Sequence, residues 1–413
     1  MIPGGTNLPR VGGYNQTVVL DAIRSRGPIS RVELVPLTGL TAQTISNVVR
    51  RLLNEGLVEE SGHSYSDGGK RRTLLSMRAC GAYAVGVHLD PDFVVVALVD
   101  LAGQVVRSSH VRLTGPVDPA DLVEEVGRTV KDLVREAAVD PARVLGTGIA
   151  TPGPIDGARG AIVDPPNFPG WGHVPLAKMF GEATGMPVAM DKDATAAAIG
   201  ERWIGGAERS GSFLFIYIGT GIGGGVSLDS AILHGESGNA GEFGHVVVEP
   251  GGRSCSCGGT GCLETYCSPA AILADLSQRH GEQTLSRLGL TATPESLHSD
   301  WTRLRQAVRQ GDPAATDAVR QAARRIGQAS RSAVNLLDVG RIILGGEAVK
   351  GIEPILSEEI DAAVNGASIA RVVRRVRIEP SLIGDTVGAV GAASLVLHGN
   401  YAPGWQQLTE APR

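Results

Sequence analysis

The chain has 413 residues, with 38 Lys+Arg against 43 Asp+Glu and a formal net charge of −5. That length supports two or three domains with ample core. No apolar run approaches the ~18 residues a membrane span needs, and the N-terminus lacks the charged-then-apolar pattern of a secretory signal. The expectation is a cytoplasmic protein with reduced thiols and no membrane association.

The charge is uneven. Residues 1–80 carry ten Lys/Arg and six Asp/Glu, while the remainder is acidic. A basic head on an acidic body fits a nucleic-acid module joined to a separate unit. After a Gly-rich leader, the spacing predicts a helix over Asn15–Arg26, with Val18, Val19, Ala22 and Ile23 on one face and Gly27-Pro28 as its stop. Ser30 and Glu33 form a capping box for a second helix, which Pro36 should kink or shorten. Thr38-Gly39-Leu40-Thr41 reads as a tight turn capping a third helix over about residues 42–54, where Ile45, Val48, Val49, Leu52 and Leu53 keep helical spacing. Its other face carries Gln43, Asn47 and Arg50, flanked by Thr44 and Arg51. Strands at Leu57–Glu60 and Thr73–Ser76, joined around Asp67-Gly68-Gly69, make a wing bearing Lys70, Arg71 and Arg72.

Residues 1–78 therefore read as a winged helix-turn-helix DNA-binding domain. Amides can read adenine edges and guanidinium groups can read guanine or hold phosphate. The wing cations suit phosphate or minor-groove contact. The competing reading is a helical adaptor with a solvated charged face.

From residue 79 the texture changes. Strands are expected at Tyr83–Leu89, Phe93–Asp100 and Gln104–Val111, then a helix at about 120–138 and a strand at Val144–Ala150. The pattern recurs with strands at Phe213–Ile218, Gly223–Leu228 and near Ala231–Leu233. Helices then fill 301–337 and a strand follows at Arg341–Leu344. Two such units imply two similar lobes with a cleft between them. The first lobe spans 79–190 with a returning helix at 385–400; the second spans 191–384. Asp193 opens an Ala-rich helix and is a candidate general base on a hydroxyl, or only a cap. Gly219-Thr220-Gly221 is a turn whose N–H groups can approach phosphate closely.

His245, Cys255, Cys257 and Cys262 lie within eighteen residues. Three thiols and one imidazole are the ligand set of a closed tetrahedral zinc site. Gly258, Gly259 and Gly261 let the loop fold back on itself. A disulfide is the alternative, but Cys255 and Cys257 are too close to bond comfortably. Glu242 and Glu264 bracket the cluster. Cys80 and Cys267 have no ligand neighbours and read as small core hydrophobes.

Seven motifs together resemble the ROK family, named for repressors, open reading frames and sugar kinases. They are Glu242-Phe243-Gly244-His245, the run from Cys255 to Glu264, Thr151-Pro152-Gly153-Pro154-Ile155-Asp156, Asn167-Phe168-Pro169-Gly170-Trp171, Asp193 with Ala196-Ala197-Ala198, the Gly219 turn, and Ile342-Ile343-Leu344-Gly345-Gly346. The resemblance covers about residues 14–400. It implies an α/β fold of two actin-like lobes, of the ribonuclease H-like ATPase and sugar-kinase type, behind the winged helix. It makes Asp193 the position of the kinases' catalytic base. It makes Asn167, Lys192, Asp193, Glu242, His245 and Glu264 a sugar pocket, with His245 also on a structural Zn²⁺. Gly219, Thr220, Gly221, Gly345 and Gly346 become vestigial nucleotide-binding positions.

The departures from the family pattern carry information. Kinases of the family place an Asp-x-Gly-Gly-Thr-Lys-type turn where this chain has His88-Leu89-Asp90-Pro91-Asp92. Both glycines are gone, and two carboxylates would face incoming phosphates. Glu347 replaces a customary Gly. Lys192 and Thr195 stand where the family usually has Asn. Lys192 can bind a phosphorylated or acidic sugar, or pair with Asp191 or Asp193. The reading is a non-enzymatic, sugar-responsive regulator, a repressor of carbohydrate genes. Its partners would be operator DNA, a sugar or sugar-phosphate effector, and further copies of itself as a homodimer or homotetramer. The alternative is an active sugar kinase bearing a DNA-binding head.

Overall fold

The computed structural model describes residues 8–65, 71–113, 115 and 117–402. The head comprises α1 (Leu8–Arg26), β1 (Ile29–Ser30), α2 (Arg31–Thr38), α3 (Ala42–Asn54), β2 (Val58–Tyr65) and β3 (Arg71–Met77). The expected caps are present. The Ser30 hydroxyl accepts the Glu33 N–H, the Glu33 carboxylate accepts the Ser30 N–H at 2.9 Å, and Thr41 Oγ1 accepts the Thr44 N–H at 3.2 Å. Pro36 is accommodated because α2 has only eight residues and ends at Gly39, whose φ of 70° only glycine adopts freely. The first helix starts at Leu8, earlier than expected, because its glycines lower local helix propensity without preventing helix. Ile45, Val49 and Leu52 bury one face of α3 against Leu34 and Ile23. The three strands pair antiparallel in the order β1-β3-β2, the architecture of a winged helix. Lys70 and the turn at Asp67-Gly68-Gly69 lie outside the described residues.

The first lobe contains β4 (Tyr83–Leu89), β5 (Phe93–Asp100), β6 (Val105–Arg112), α4 (Pro119–Glu136) and β7 (Val144–Thr151). Short strands β8 (Ile155–Asp156), β9 (Ala161–Val163) and β10 (His173–Val174) precede α5 (Leu176–Thr184) and β11 (Val188–Lys192). Helix α6 (Asp193–Gly205) then crosses to the second lobe, formed by β12 (Phe213–Ile218), β13 (Ile222–Leu228), β14 (Ala231–Ile232), α7 (Glu264–Cys267), α8 (Pro269–Leu288), α9 (Leu297–Arg309), α10 (Pro313–Leu337), β15 (Arg341–Gly345), α11 (Glu353–Ala367) and β16 (Arg377–Pro380). Helix α12 (Val387–Tyr401) returns to the first lobe.

The lobes repeat one topology. Their sheets run β11-β7-β4-β5-β6 and β14-β13-β12-β15-β16, each an antiparallel three-strand meander extended by two parallel strands. Strand β11 runs on to Lys192 within the first sheet. Helix α12 is buried on nearly every side. It approaches the first sheet so closely that a Cβ on Gly86 or Gly148 would collide with the carbonyls of Ala389 or Ala392. Helix α6 lies along α12 through the same kind of contact, Gly200 against Gly391.

The head is docked on the body. Val19, Leu20 and Ile23 of α1 share one continuous apolar core with Ala82, Leu101, Trp203, Ala393 and Leu397. Burying such side chains contributes roughly 1.5–3 kcal/mol each. Cys267 is buried as expected, but Cys80 is exposed. It sits in the 3-10 turn linking head and body, where its backbone carbonyl, not its thiol, is engaged by Arg143 Nη1 at 3.2 Å. No helix among the described residues is long and apolar enough to cross a membrane.

Candidate functional site

A cavity of about 680 Å³ opens between the lobes, and all six expected sugar-pocket residues line it. The sheet topology brings them there. Parallel pairing of β11 with β7 ends at Lys192 opposite Thr151, so the chain leaves the sheet at the carboxyl ends of its strands. Asp193 follows as the first residue of α6. Asn167 comes from the loop after β9. Glu242 precedes and His245 ends a 3-10 turn at Phe243–His245, and Glu264 opens α7.

Burial pushes the Asp193 carboxyl up to about 7, although the Ala194 N–H donates to it at 2.6 Å. The charges of Asp90 and Glu242 push the same way, and Lys192 opposes them. Lys192 is buried. Its ammonium pairs with neither Asp191 nor Asp193. It donates to Glu242 Oε1 at 2.6 Å and to the Ala240 carbonyl at 2.8 Å. Asp191 is already engaged, with His234 Nε2 at 3.0 Å and the Lys192 N–H at 2.7 Å.

The four expected metal ligands converge, with all ligand atoms within 4.8 Å of one another. Cys257 Sγ lies 3.7 Å from Cys262 Sγ, and Cys255 Sγ lies 3.5 Å from His245 Nδ1. Those are the ligand–ligand edges of a tetrahedron built on a metal–sulfur bond of about 2.3 Å, and 3.7 Å is far beyond a disulfide bond. The donor set therefore fits one tetrahedral metal ion. The loop is shaped by isolated bridges Val247↔Cys262 and Ser254↔Thr260. The Tyr266 hydroxyl holds the Arg253 N–H at 2.8 Å. With Nδ1 turned to the thiols, His245 Nε2 faces Glu242 Oε2 at 3.9 Å. Glu264 joins this loop to the Gly-rich turn, where its carboxylate accepts the Ile222 N–H at 2.9 Å. A Cβ on Gly221 would strike that carboxylate.

The turn at Gly219–Gly221 is engaged from across the cleft. Thr220 Oγ1 donates to both carboxylate oxygens of Asp90, at 2.9 and 2.8 Å. Asp90 is buried, and desolvation pushes its carboxyl up to about 7. Beside it, a second cavity of about 400 Å³ is lined by Phe93 and Trp301 and faced by the carboxylates of Asp92 and Glu347. Gly219 and Thr220 border this second cavity, and Thr220 and Gly221 border the first. Gly345 and Gly346 are not among the lining residues of either. Their missing Cβ atoms are required by Phe215 and by the Ile218 backbone, so packing accounts for them.

Tyr217 lines the first cavity and was not anticipated. Its hydroxyl lies 3.3 Å from Nε2 of buried His88, whose pKa burial lowers to about 4. The signal was available: Phe213, Phe215 and Tyr217 alternate toward α6, and only the last carries a polar tip.

On the head, Gln43, Asn47, Arg50 and Arg51 are exposed along α3 and Thr44 is half-buried. Gln43 Nε2 donates to Asn47 Oδ1 at 3.4 Å. Arg51 Nε is held by Glu55 at 2.8 Å, and the Thr44 hydroxyl by Thr41 at 2.9 Å. Arg71 and Arg72 open β3 on the wing.

The model of the ROK family matches residues 84–398. The chain is 28% identical to the xylose repressor of Caldicellulosiruptor bescii over 391 residues, covering 93% of this chain and 95% of that one. It resembles the crystal structure of a ROK family transcriptional regulator, a homolog of the E. coli MLC protein, with a TM-score of 0.77 at 25% identity, covering 96% and 98%. It also resembles the ROK hexokinase of Thermus thermophilus, with a TM-score of 0.59 at 31% identity, covering 76% of this chain and 97% of the hexokinase.

Proposed function

Because this chain belongs to the ROK family, we propose that it is a sugar-responsive, DNA-binding transcriptional regulator that represses carbohydrate-utilisation genes. One observation carries the reading: a single chain holds an exposed recognition helix and a cleft lined by all six sugar-pocket residues. The regulator-like relatives match nearly the whole chain, head included, whereas the hexokinase covers 76% of it.

The partners in this reading are operator DNA, a sugar bound between the lobes, and further copies of the chain as a homodimer or homotetramer in the cytoplasm. Two copies present two recognition helices to a repeated site. The Cys3His set would hold Zn²⁺ as a structural brace, which fixes the loop and needs no open coordination position. This chain's own residues do the recognition. His245 Nε2, Glu242 and Asp193 offer hydrogen-bonding groups to hydroxyls, and Glu264 keeps the loop against the Gly-rich turn.

Phosphoryl transfer is disfavoured. The Thr220 hydroxyl is bound by Asp90, and the second cavity sets the carboxylates of Asp92 and Glu347 against one guanidinium, Arg305, whose Nη1 is already held by the Glu347 carbonyl. The rival kinase reading draws support from Asp193, which sits at the position of a hydroxyl base.

Ligand can alter DNA affinity only through an element whose position both sites bias. Helix α6 fits that role. It starts at Asp193 in the cleft and ends, about 18 Å on, against head helix α1. The test is thermal stability of zinc-loaded protein with sugars and with ATP. Stabilisation by a sugar but not by ATP supports the regulator. Sugar-dependent ADP release that vanishes in Asp193→Ala returns the kinase.

A further inference from the structure

The effector's charge class follows from the lining of the cleft. Asp90, Asp193, Glu242 and Glu264 present four carboxylates, and Lys192 is the one lysine or arginine side chain among the lining residues. Lys192 is not available as an anion receptor. Two of its three ammonium hydrogens are committed, to Glu242 Oε1 and the Ala240 carbonyl, and its stem lies against Gly153. A metal ion held by three thiolates leaves the neighbouring cluster with net negative charge.

We propose that the Lys192–Glu242 ion pair makes this pocket selective for an uncharged sugar, with Lys192 acting as a positioning residue that presents Glu242. This rests on the sugar-sensor reading above and narrows it, setting aside the sugar-phosphate effector. A sugar phosphate or sugar acid entering the cleft would have to break the ion pair. It would strip Glu242 of its counter-ion and meet the further acidic groups of Asp90, Asp193 and Glu264. An uncharged sugar meets carboxylate acceptors together with neutral donors such as Asn167 and Ser256, which its hydroxyls can satisfy without a counter-charge. Glu242 Oε2, turned toward His245 Nε2, remains open to a hydroxyl while Oε1 stays on the lysine.

The experiment is calorimetric titration of the zinc-loaded full chain with xylose, glucose, glucose 6-phosphate and glucuronate, at low and high salt. The proposal expects saturable binding of an uncharged sugar with a Kd insensitive to salt, and binding of its anionic relatives at least ~100-fold weaker. Lys192→Met should weaken the uncharged sugar about tenfold by releasing Glu242. Glu242→Gln, which frees the ammonium, should let glucuronate or the phosphate in. An anionic sugar that binds as tightly as its parent, weakens in salt and is lost in Lys192→Met would overturn the proposal while leaving the sensor reading standing. Binding by none of the four would defeat the sensor reading and this proposal with it. If a variant does not fold, the charge selectivity and salt response of the native chain still decide.

Discussion

Arg24 of the head lies over the indole of Trp203, with its guanidinium carbon 4.9 Å from the ring centroid. Its Nη1 donates to the Arg202 carbonyl at 2.9 Å and to the Trp203 carbonyl, and Asp21 holds its Nη2 at 2.7 Å. These carbonyls belong to the last turn of α6, where carbonyls lack intrahelical partners and cations are favoured. The DNA-binding head thus caps the far end of the helix that begins in the cleft.

Arg24→Ala should therefore cost about 3 kcal/mol, from the stacked cation and its hydrogen bonds. Urea unfolding followed by tryptophan fluorescence reads that loss. The same variant should bind the sugar normally but show a much reduced effect of sugar on operator affinity. A full response in Arg24→Ala would rule out α6 as the connecting element.

The cleft carboxyls set a pH dependence. Asp90 and Asp193 have their pKa values raised to about 7 by burial. The folded protein thus keeps protons that the unfolded chain loses near pH ~4. Their contribution is present at acid pH and is lost as pH rises through about 7. Asp193→Asn should melt higher than the native chain above neutrality, and the gain should shrink toward pH ~4. Sugar hydroxyls donate best to ionised carboxylates, so sugar affinity should rise over the same window with release of protons. Calorimetry in two buffers of different ionisation enthalpy measures that release.

The metal loop supplies a third prediction. Cys262→Ser should abolish zinc retention, lower the melting temperature by on the order of 10 °C and remove sugar stabilisation together. Elemental analysis with thermal melting in the same samples checks it. Zinc loss with sugar binding intact would separate the brace from the pocket.

On the recognition helix, Arg50→Ala should weaken operator binding about tenfold at all sequences and flatten the salt dependence by about one unit. Asn47→Ala should instead lose discrimination at one base pair, worth about 1–3 kcal/mol. Arg51→Ala should do less, because Glu55 already holds that guanidinium.

What the chain revealed before folding was local. Helix α3 kept its expected bounds because its apolar spacing and its Thr41 cap agree. The Cys3His set was visible because its ligands sit close in sequence. The hidden features are long-range. Thr220 and Asp90 are 130 residues apart, and Lys192 and Glu242 are 50 apart. Nothing local says which carboxylate a buried lysine will choose, so the sequence neighbours Asp191 and Asp193 stood as its partners and Glu242 was missed. Gly345 and Gly346 carried a phosphate-turn signature, and tertiary packing also demands their small size, which no local pattern announces. Cys80 defaulted to the core because free thiols usually do, but the interdomain turn leaves it exposed.

The central claim is that occupancy of the cleft changes how the head holds DNA. Fluorescence anisotropy on a labelled fragment of the protein's own promoter, with and without a saturating sugar that raises the melting temperature, tests it most directly. The account predicts a change in Kd of at least about tenfold with no nucleotide present, on the scale of ordinary allosteric coupling. An identical Kd in both conditions, from a sugar shown to bind, would contradict it.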